Sequence, residues 1–208
     1  VTITTTDAVE LERCLAGDGI AVVPTDTVYG LACNPESESA LQRIYELKGR
    51  PPVKPAAVMF FALEPALEAL PELGVRTRAA MGALLPGPVT LLLANPERRF
   101  PLACNPTGGD SALLGLRIPA FDGPLAALSK VRVAAAQSSA NLSGRPDPAS
   151  LGDVPAELRK GADMMFDGGQ LPGTASTVID LSAYDRSGRW RIVREGPLSP
   201  AALERLLH

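Results

Sequence analysis

Ile20-Ala21-Val22-Val23-Pro24-Thr25-Asp26-Thr27-Val28-Tyr29-Gly30-Leu31 starts with four apolar residues and breaks at a proline. A short apolar run closed by a turn signal is the pattern of a buried strand. Ile20–Val23 is read as that strand and Pro24–Thr27 as its terminal turn, with Val28–Cys33 continuing as strand or extended loop. Small hydroxyls and a flexible glycine just past a strand end suit a ligand site, because α/β pockets lie at such ends. The same residue types also build ordinary Asx- and Ser/Thr-turns, so both readings stand for Thr25-Asp26-Thr27.

Working outward, Thr6 is placed to cap a helix over Asp7–Ala16 that Gly17 ends. Ser39-Ala40-Leu41-Gln42 has the capping-box pattern. It opens a helix to Lys48, with Gly49 at C′ and Pro51-Pro52 as its stop. Ala56–Phe61 reads as a strand, and Ala66–Leu70 and Val75–Leu85 as helices. Pro86-Gly87-Pro88 turns the chain into the strand Val89–Ala94. Arg98–Asp110 is rich in Pro, Gly and Asn and reads as a surface loop. Then come a strand (Leu113–Ile118), a short helix (Pro124–Ser129), a strand (Val131–Ala136) and the turns of Asn141–Ser150. Pro155–Lys160 is helical. Met164–Phe166, Thr177–Leu181 and Trp190–Arg194 are short strands, and Ser199-Pro200 opens a final helix, Ala201–Leu207. Strands and helices alternate without a strict βαβ rhythm. The expectation is one α/β domain over residues 1–208, with a twisted, mixed sheet flanked by helices.

The 208 residues are 46% hydrophobic and 21% charged, which is enough apolar chain for a sizeable core. Aromatics make up only 4%, so aliphatic side chains and alanine must fill most of it. The net charge of −3 argues against a broad nucleic-acid-binding face. No apolar run reaches the ~18 residues of a membrane span, and no signal peptide opens the chain, so a cytoplasmic protein with no membrane partner is expected. Cys14, Cys33 and Cys104 are odd in number and widely spaced, the pattern of buried, reduced thiols rather than a disulfide framework or zinc site. The single histidine is the last residue, His208, which leaves no histidine for a Ser-His-Asp or Cys-His system. Chemistry here must run on Lys, Arg, carboxylates, hydroxyls, backbone amides or a carboxylate-bound metal.

Lys48 is the first candidate. On its helix the apolar stripe is Leu41, Ile44 and Tyr45, and the position seven after Leu41 is Lys48. Its charge points toward the buried side and needs an anionic partner. Arg50 follows just past the helix end. The pair also complements the helix C-terminal dipole, but with Pro51-Pro52 fixing the chain beyond, a rigid phosphate or carboxylate clamp is the better reading. Ser138–Gly144, with three serines and an asparagine, could line an anion nest or form a polar turn. Ser176-Thr177 opens a strand with two hydroxyls. Arg117 and Arg194 lie at strand ends. Singly they read as surface charges; together with Lys48 and Arg50 they could neutralise a triphosphate. There is no phosphate-loop motif and no Gly-x-Gly-x-x-Gly. From the residues alone the conclusion is a pocket for a polyanion and a small polar ligand on an α/β scaffold.

In order along the chain, Pro24–Leu31, Lys48-Gly49-Arg50-Pro51, Leu85–Thr90, Leu116–Pro119, Ser138–Gly144, Asp167-Gly168-Gly169, Ser176–Asp180 and Val193–Gly196 resemble the YrdC-domain family of threonylcarbamoyl-AMP synthases, in its short form. The resemblance implies a twisted α/β sheet with a concave central cavity. It implies a nucleotidyltransferase reaction: L-threonine and bicarbonate or CO2 form a carbamate, which attacks the α-phosphate of ATP to give threonylcarbamoyl-AMP and pyrophosphate. Mg2+ is expected with the phosphates and no dedicated protein metal site. A downstream tRNA threonylcarbamoyl-transferase complex would use the product, so tRNA is an indirect partner. Carried over residue by residue, Lys48 and Arg50 become catalytic. Arg50, Lys54, Asn141, Ser143 and Arg194 contact ATP, and Thr27, Arg117, Ser139 and Ser176 contact threonine. Two departures stand out: Val58-Met59-Phe60 lacks a histidine common in relatives, and Lys54-Pro55 replaces a common Asn-Pro. The alternative is an RNA- or nucleotide-binding module of the same fold without synthase activity.

Overall fold

A computed structural model describes residues 2–49, 55–105 and 112–207. In chain order the elements are α1 (Thr5–Ala16), β1 (Ala21–Val23), β2 (Gly30–Cys33), α2 (Glu38–Leu47), β3 (Ala57–Met59), α3 (Leu63–Ala69), α4 (Val75–Leu84), β4 (Val89–Ala94), α5 (Pro101–Cys104) and β5 (Leu113–Arg117). A 3₁₀ segment, Gly123–Lys130, leads to β6 (Ala135–Ser139). A second, Leu151–Asp153, precedes α6 (Ala156–Gly161), β7 (Met164–Met165), β8 (Thr177–Asp180), α7 (Tyr184–Ser187), β9 (Arg191–Arg194) and α8 (Pro200–Leu207). Among the described residues nine strands form one mixed sheet in the order β7-β1-β2-β6-β3-β5-β4-β8-β9. Three pairs are parallel, β1 with β7, β3 with β5 and β4 with β8; the rest are antiparallel. The α/β class and mixed sheet read from the sequence are what the chain adopts.

Local chemistry explains where the elements differ from expectation. The first helix starts earlier because Thr4, not Thr6, caps it: Thr4 Oγ1 accepts from Asp7 N at 3.2 Å, and Asp7 Oδ2 accepts from Thr4 N at 2.7 Å. In α2 the cap is Ser37, whose Oγ accepts from Ala40 N at 3.1 Å, while Ser39 donates to Asp18 at 3.0 Å. Gly49 takes the left-handed conformation (φ +55°) expected just past a helix end. Within the stretch read as a loop, Pro101 opens the short helix α5. Residues 106–110 of that loop lie outside the described residues. The largest shift is at β6. Val131 N donates to Leu128 O at 3.1 Å and closes the 3₁₀ segment. The strand therefore starts at Ala135 and carries Ser138 and Ser139 inside it.

The sheet's two faces differ. Val58, Leu91, Leu93, Leu114, Leu116 and Ile179 point to one side and are buried with the helices' apolar stripes. On the other side the register lines up Gln137, Ala57, Gly115 and Leu92 in one row. Arg117, Thr90, Val178 and Arg194 form a second row. Gly115, Thr90, Leu92 and Val178 are only partly buried. This face is the floor of a cavity.

Candidate functional site

The cavity has a volume of about 440 Å³ and is floored by Ala57, Leu92, Leu113 and Gly115, with Thr27, Arg117, Ser139, Ser176 and Arg194 in its lining. Five separate stretches supply the last five residues: the turn after β1, the ends of β5, β6 and β9, and the residue before β8.

The turn Thr25-Asp26-Thr27 resolves into distinct roles. Thr25 holds the turn: its Oγ1 donates to Val28 O at 2.7 Å and accepts from Thr27 N at 3.2 Å. Asp26 forms an ion pair with Arg117 and accepts from Ala120 N at 3.0 Å. Thr27 accepts from Arg117 Nη2 at 3.2 Å and lies 3.0 Å from the Thr25 hydroxyl. A Ser/Thr-turn and a cavity-lining residue therefore coexist here.

Arg117 is 3% exposed. Its Nη1 donates to Gly87 O and, at 3.2 Å, to Val89 O; its Nη2 donates to Asp26 and Thr27. Of its five N–H groups, the Nε one has no acceptor among the described residues. Burial pushes its pKa down, Asp26 pushes it back up, and Arg194 lowers it again. Even so, a guanidinium keeps its charge. Arg194 is oriented by the strand start of β8: Nε and Nη2 donate to Ser176 O at 3.1 and 2.8 Å, and Nη2 donates to Ser176 Oγ at 3.1 Å. The Ser176 hydroxyl also lies 2.8 Å from that of Thr90.

Lys48, the residue after α2, is 3% exposed as its place on the apolar stripe foretold. Its Nζ donates to Ser139 O, to Asn141 O at 2.8 Å and to Asn141 Oδ1 at 3.1 Å. These three neutral oxygens contribute to compensating its burial. Ser139 Oγ donates to Asn141 Oδ1 at 2.7 Å, Asn141 Nδ2 donates to Arg145 O, and Ser143 N donates to Lys48 O at 3.0 Å. Lys48 is the hub on which the 139–145 segment is folded. Ser143 is exposed and linked to the site through its backbone. Arg50 and Lys54 lie outside the described residues. Met59, at the departure from the expected histidine, is fully buried and paired in register with Arg117.

Sequence reasoning gave no individual role to four contributors. Asp26 sat in view between two threonines, but its tie to Arg117 spans 91 residues. Thr90, Gln137 and Asp147 also line the cavity. Gln137 packs over Gly30, and a Cβ there would push its side-chain amide aside. For Gln137, the signal was a polar residue on a strand otherwise made of alanine and serine. Among the described residues no helix is long and apolar enough to cross a membrane.

Fold and cavity together define an α/β protein whose mixed sheet is flanked by helices and floors a polar, arginine-bearing pocket. The chain belongs to the Sua5/YciO/YrdC family, described as telomere recombination, whose model matches residues 13–196. It is 34% identical over 202 residues to the human threonylcarbamoyl-AMP synthase, across 88% of this chain and 64% of that protein. It is 31% identical over 166 residues to the threonylcarbamoyl-AMP synthase of Pyrococcus abyssi, across 79% of this chain and 48% of that one. The crystal structure of P. abyssi Sua5 complexed with L-threonine superposes with a TM-score of 0.82 at 28% identity, covering 99% of this chain and 58% of that one. The chain thus spans about half to two thirds of the length of these relatives.

Proposed function

We propose that the protein is a threonylcarbamoyl-AMP synthase, a nucleotidyltransferase acting on L-threonine, bicarbonate or CO2, and ATP. The observation that carries this is the convergence of Thr27, Arg117, Ser139, Ser176 and Arg194 in one cavity, from five separate stretches of chain. The names of its relatives, and the L-threonine bound to the P. abyssi neighbour, support it.

The threonine ammonium gives a proton to solvent, and the free amine condenses with bicarbonate to a carbamate with loss of water. A carbamate oxygen then attacks the α-phosphorus of ATP, and pyrophosphate leaves. The carbamate is itself the nucleophile, so the protein's task is positioning and charge neutralisation. Thr27, Ser139 and Ser176 offer hydroxyls to threonine, and Arg117 offers its Nε N–H and its charge to the carboxylate. Arg194 and Asn141 serve the nucleotide, with Ser143, Arg50 and Lys54 alongside. Lys48 holds Ser139 and Asn141 in place for both substrates. Mg2+ arrives with the triphosphate as part of that substrate. The product is an activated carbamoyl group for a downstream transferase that modifies tRNA.

Pyrophosphate release from ATP and Mg2+, with threonine and bicarbonate each omitted in turn, tests this reading. Release that requires both is expected. Release without either, or none from folded protein, overturns it.

A further inference from the structure

Among the described residues lining the cavity, Asp147 is the only acid. Its carboxylate is partly buried and makes no hydrogen bond or ion pair with the protein among the described residues. Its backbone, in contrast, is fixed. Pro146 and Pro148 flank it, which sets φ on both sides and holds Asp147 itself to extended conformations. Pro148 O accepts from Tyr29 N at 3.0 Å, and Ala149 O accepts from Leu171 N at 2.7 Å. Tyr29 is two residues from Thr27, whose hydroxyl accepts from Arg117 at 3.2 Å. The acid is therefore anchored to the Thr27–Tyr29 strand end.

A carboxylate on a rigid backbone at a ligand cavity, with its lone pairs unclaimed by protein, is a receptor for a cationic hydrogen-bond donor. The other charged groups in the lining among the described residues, Arg117 and Arg194, have the opposite sign. Two guanidiniums alone would accept any small anion. An added acid penalises pure anions and selects a ligand carrying both charges. An α-amino acid has its ammonium and carboxylate on one carbon, which suits receptors of opposite sign in one cavity.

We propose that Asp147 receives the α-ammonium group of the amino-acid substrate while Arg117 takes its carboxylate. The assignment rests on the synthase reading above and makes Asp147 a specificity-determining residue for it. Asp147 discriminates an amine from a hydroxyl at the substrate α-carbon, and it does not touch the nucleotide.

Titration calorimetry of the full chain tests this with two probes, L-threonine and 2,3-dihydroxybutanoate, in which a hydroxyl replaces the ammonium. Both are titrated in the presence of Mg2+ and a non-hydrolysable ATP analogue, and the analogue is also titrated alone. Wild type should bind threonine about tenfold or more tighter than the hydroxy acid, as a charge-assisted contact implies. Asp147→Asn should remove most of that preference and leave the analogue's affinity unchanged. If Asp147→Asn keeps the preference, the assignment fails while the synthase reading stands. Weaker analogue binding with unchanged threonine binding also overturns it and gives the carboxylate to the nucleotide. If folded wild type binds neither threonine nor the analogue, the underlying reading falls and the assignment falls with it.

Discussion

The Asp26–Arg117 pair sets the electrostatics of the cavity's polar end. Arg117 is 3% exposed, so its charge is tolerated only because Asp26 and three neutral oxygens surround it. Removing one partner of a buried pair leaves the other charge uncompensated, at a cost of about 3–5 kcal/mol. Asp26→Asn keeps the side chain's size and one acceptor oxygen, so a loss near 3 kcal/mol is expected in urea unfolding. Asp26→Asn combined with Arg117→Met removes both charges and should be milder than the sum of the two single changes. Additive losses would show that the Gly87 and Val89 carbonyls alone hold Arg117 and that Asp26 does not orient it.

At the scale of elements, α4 has no capping side chain of its own, because its N-cap is Gly74. The cap comes from α7: Asp185 accepts from Thr77 N at 3.1 Å and from Thr77 Oγ1 at 2.6 Å. A carboxylate at a helix N-terminus also complements the helix dipole. Asp185→Ala should cost about 1–2 kcal/mol, the range for a lost N-cap. Burial alone would raise the Asp185 pKa, but the bonds from Thr77, together with the backbone N–H groups of Arg76 and Gly74, outweigh it and the net shift is downward. A lowered carboxylate contributes stability that is complete above the ordinary value of 3.8 and is lost as pH falls through the lowered one. The gap between wild type and Asp185→Ala, measured by urea unfolding at pH 7 and again near pH 3, should shrink in acid. The cap also shows where reading the chain stops. The helix Val75–Leu85 was legible from its local pattern, but its capping group lies 108 residues away. The four-residue α7 has too few residues to show a period. β6 slid because Leu128–Val131 closes a 3₁₀ turn, a choice made by hydrogen bonding that the run of alanines and valines does not reveal.

For the whole molecule, sequence showed the pieces of the candidate site and structure showed how they meet. Lys48 was legible because its charge broke an apolar stripe, and Ser139 and Asn141 because they cluster. That Lys48 holds those two residues, and that Asp26 holds Arg117, are facts of sheet order across some 90 residues, which no local pattern encodes. The thiols, by contrast, were read as buried and reduced; Cys33 and Cys104 are buried, whereas Cys14, in α1, is only partly so. Burial pushes Cys33 up to about 12 and Cys104 up to about 11. The thiolate is the reactive form, so both should resist iodoacetamide at pH 8 in the native state and react only after global unfolding. A consequence for stability follows from the same shift. In the unfolded chain these thiols ionise near their ordinary value of 9.0, whereas in the native core they keep their protons. Above pH 9 the native state therefore binds more protons than the unfolded one, and stability must fall as pH rises. The contribution is complete below pH 9 and drains away up to about 11 for Cys104 and about 12 for Cys33. Denaturant midpoints measured from pH 8 to 10.5 should decline, and Cys33→Val, which cannot ionise, should flatten the decline. A decline that is the same with and without Cys33 would mean that its thiol is solvated in the native protein, and that the sheet around β2 opens more readily than its packing implies.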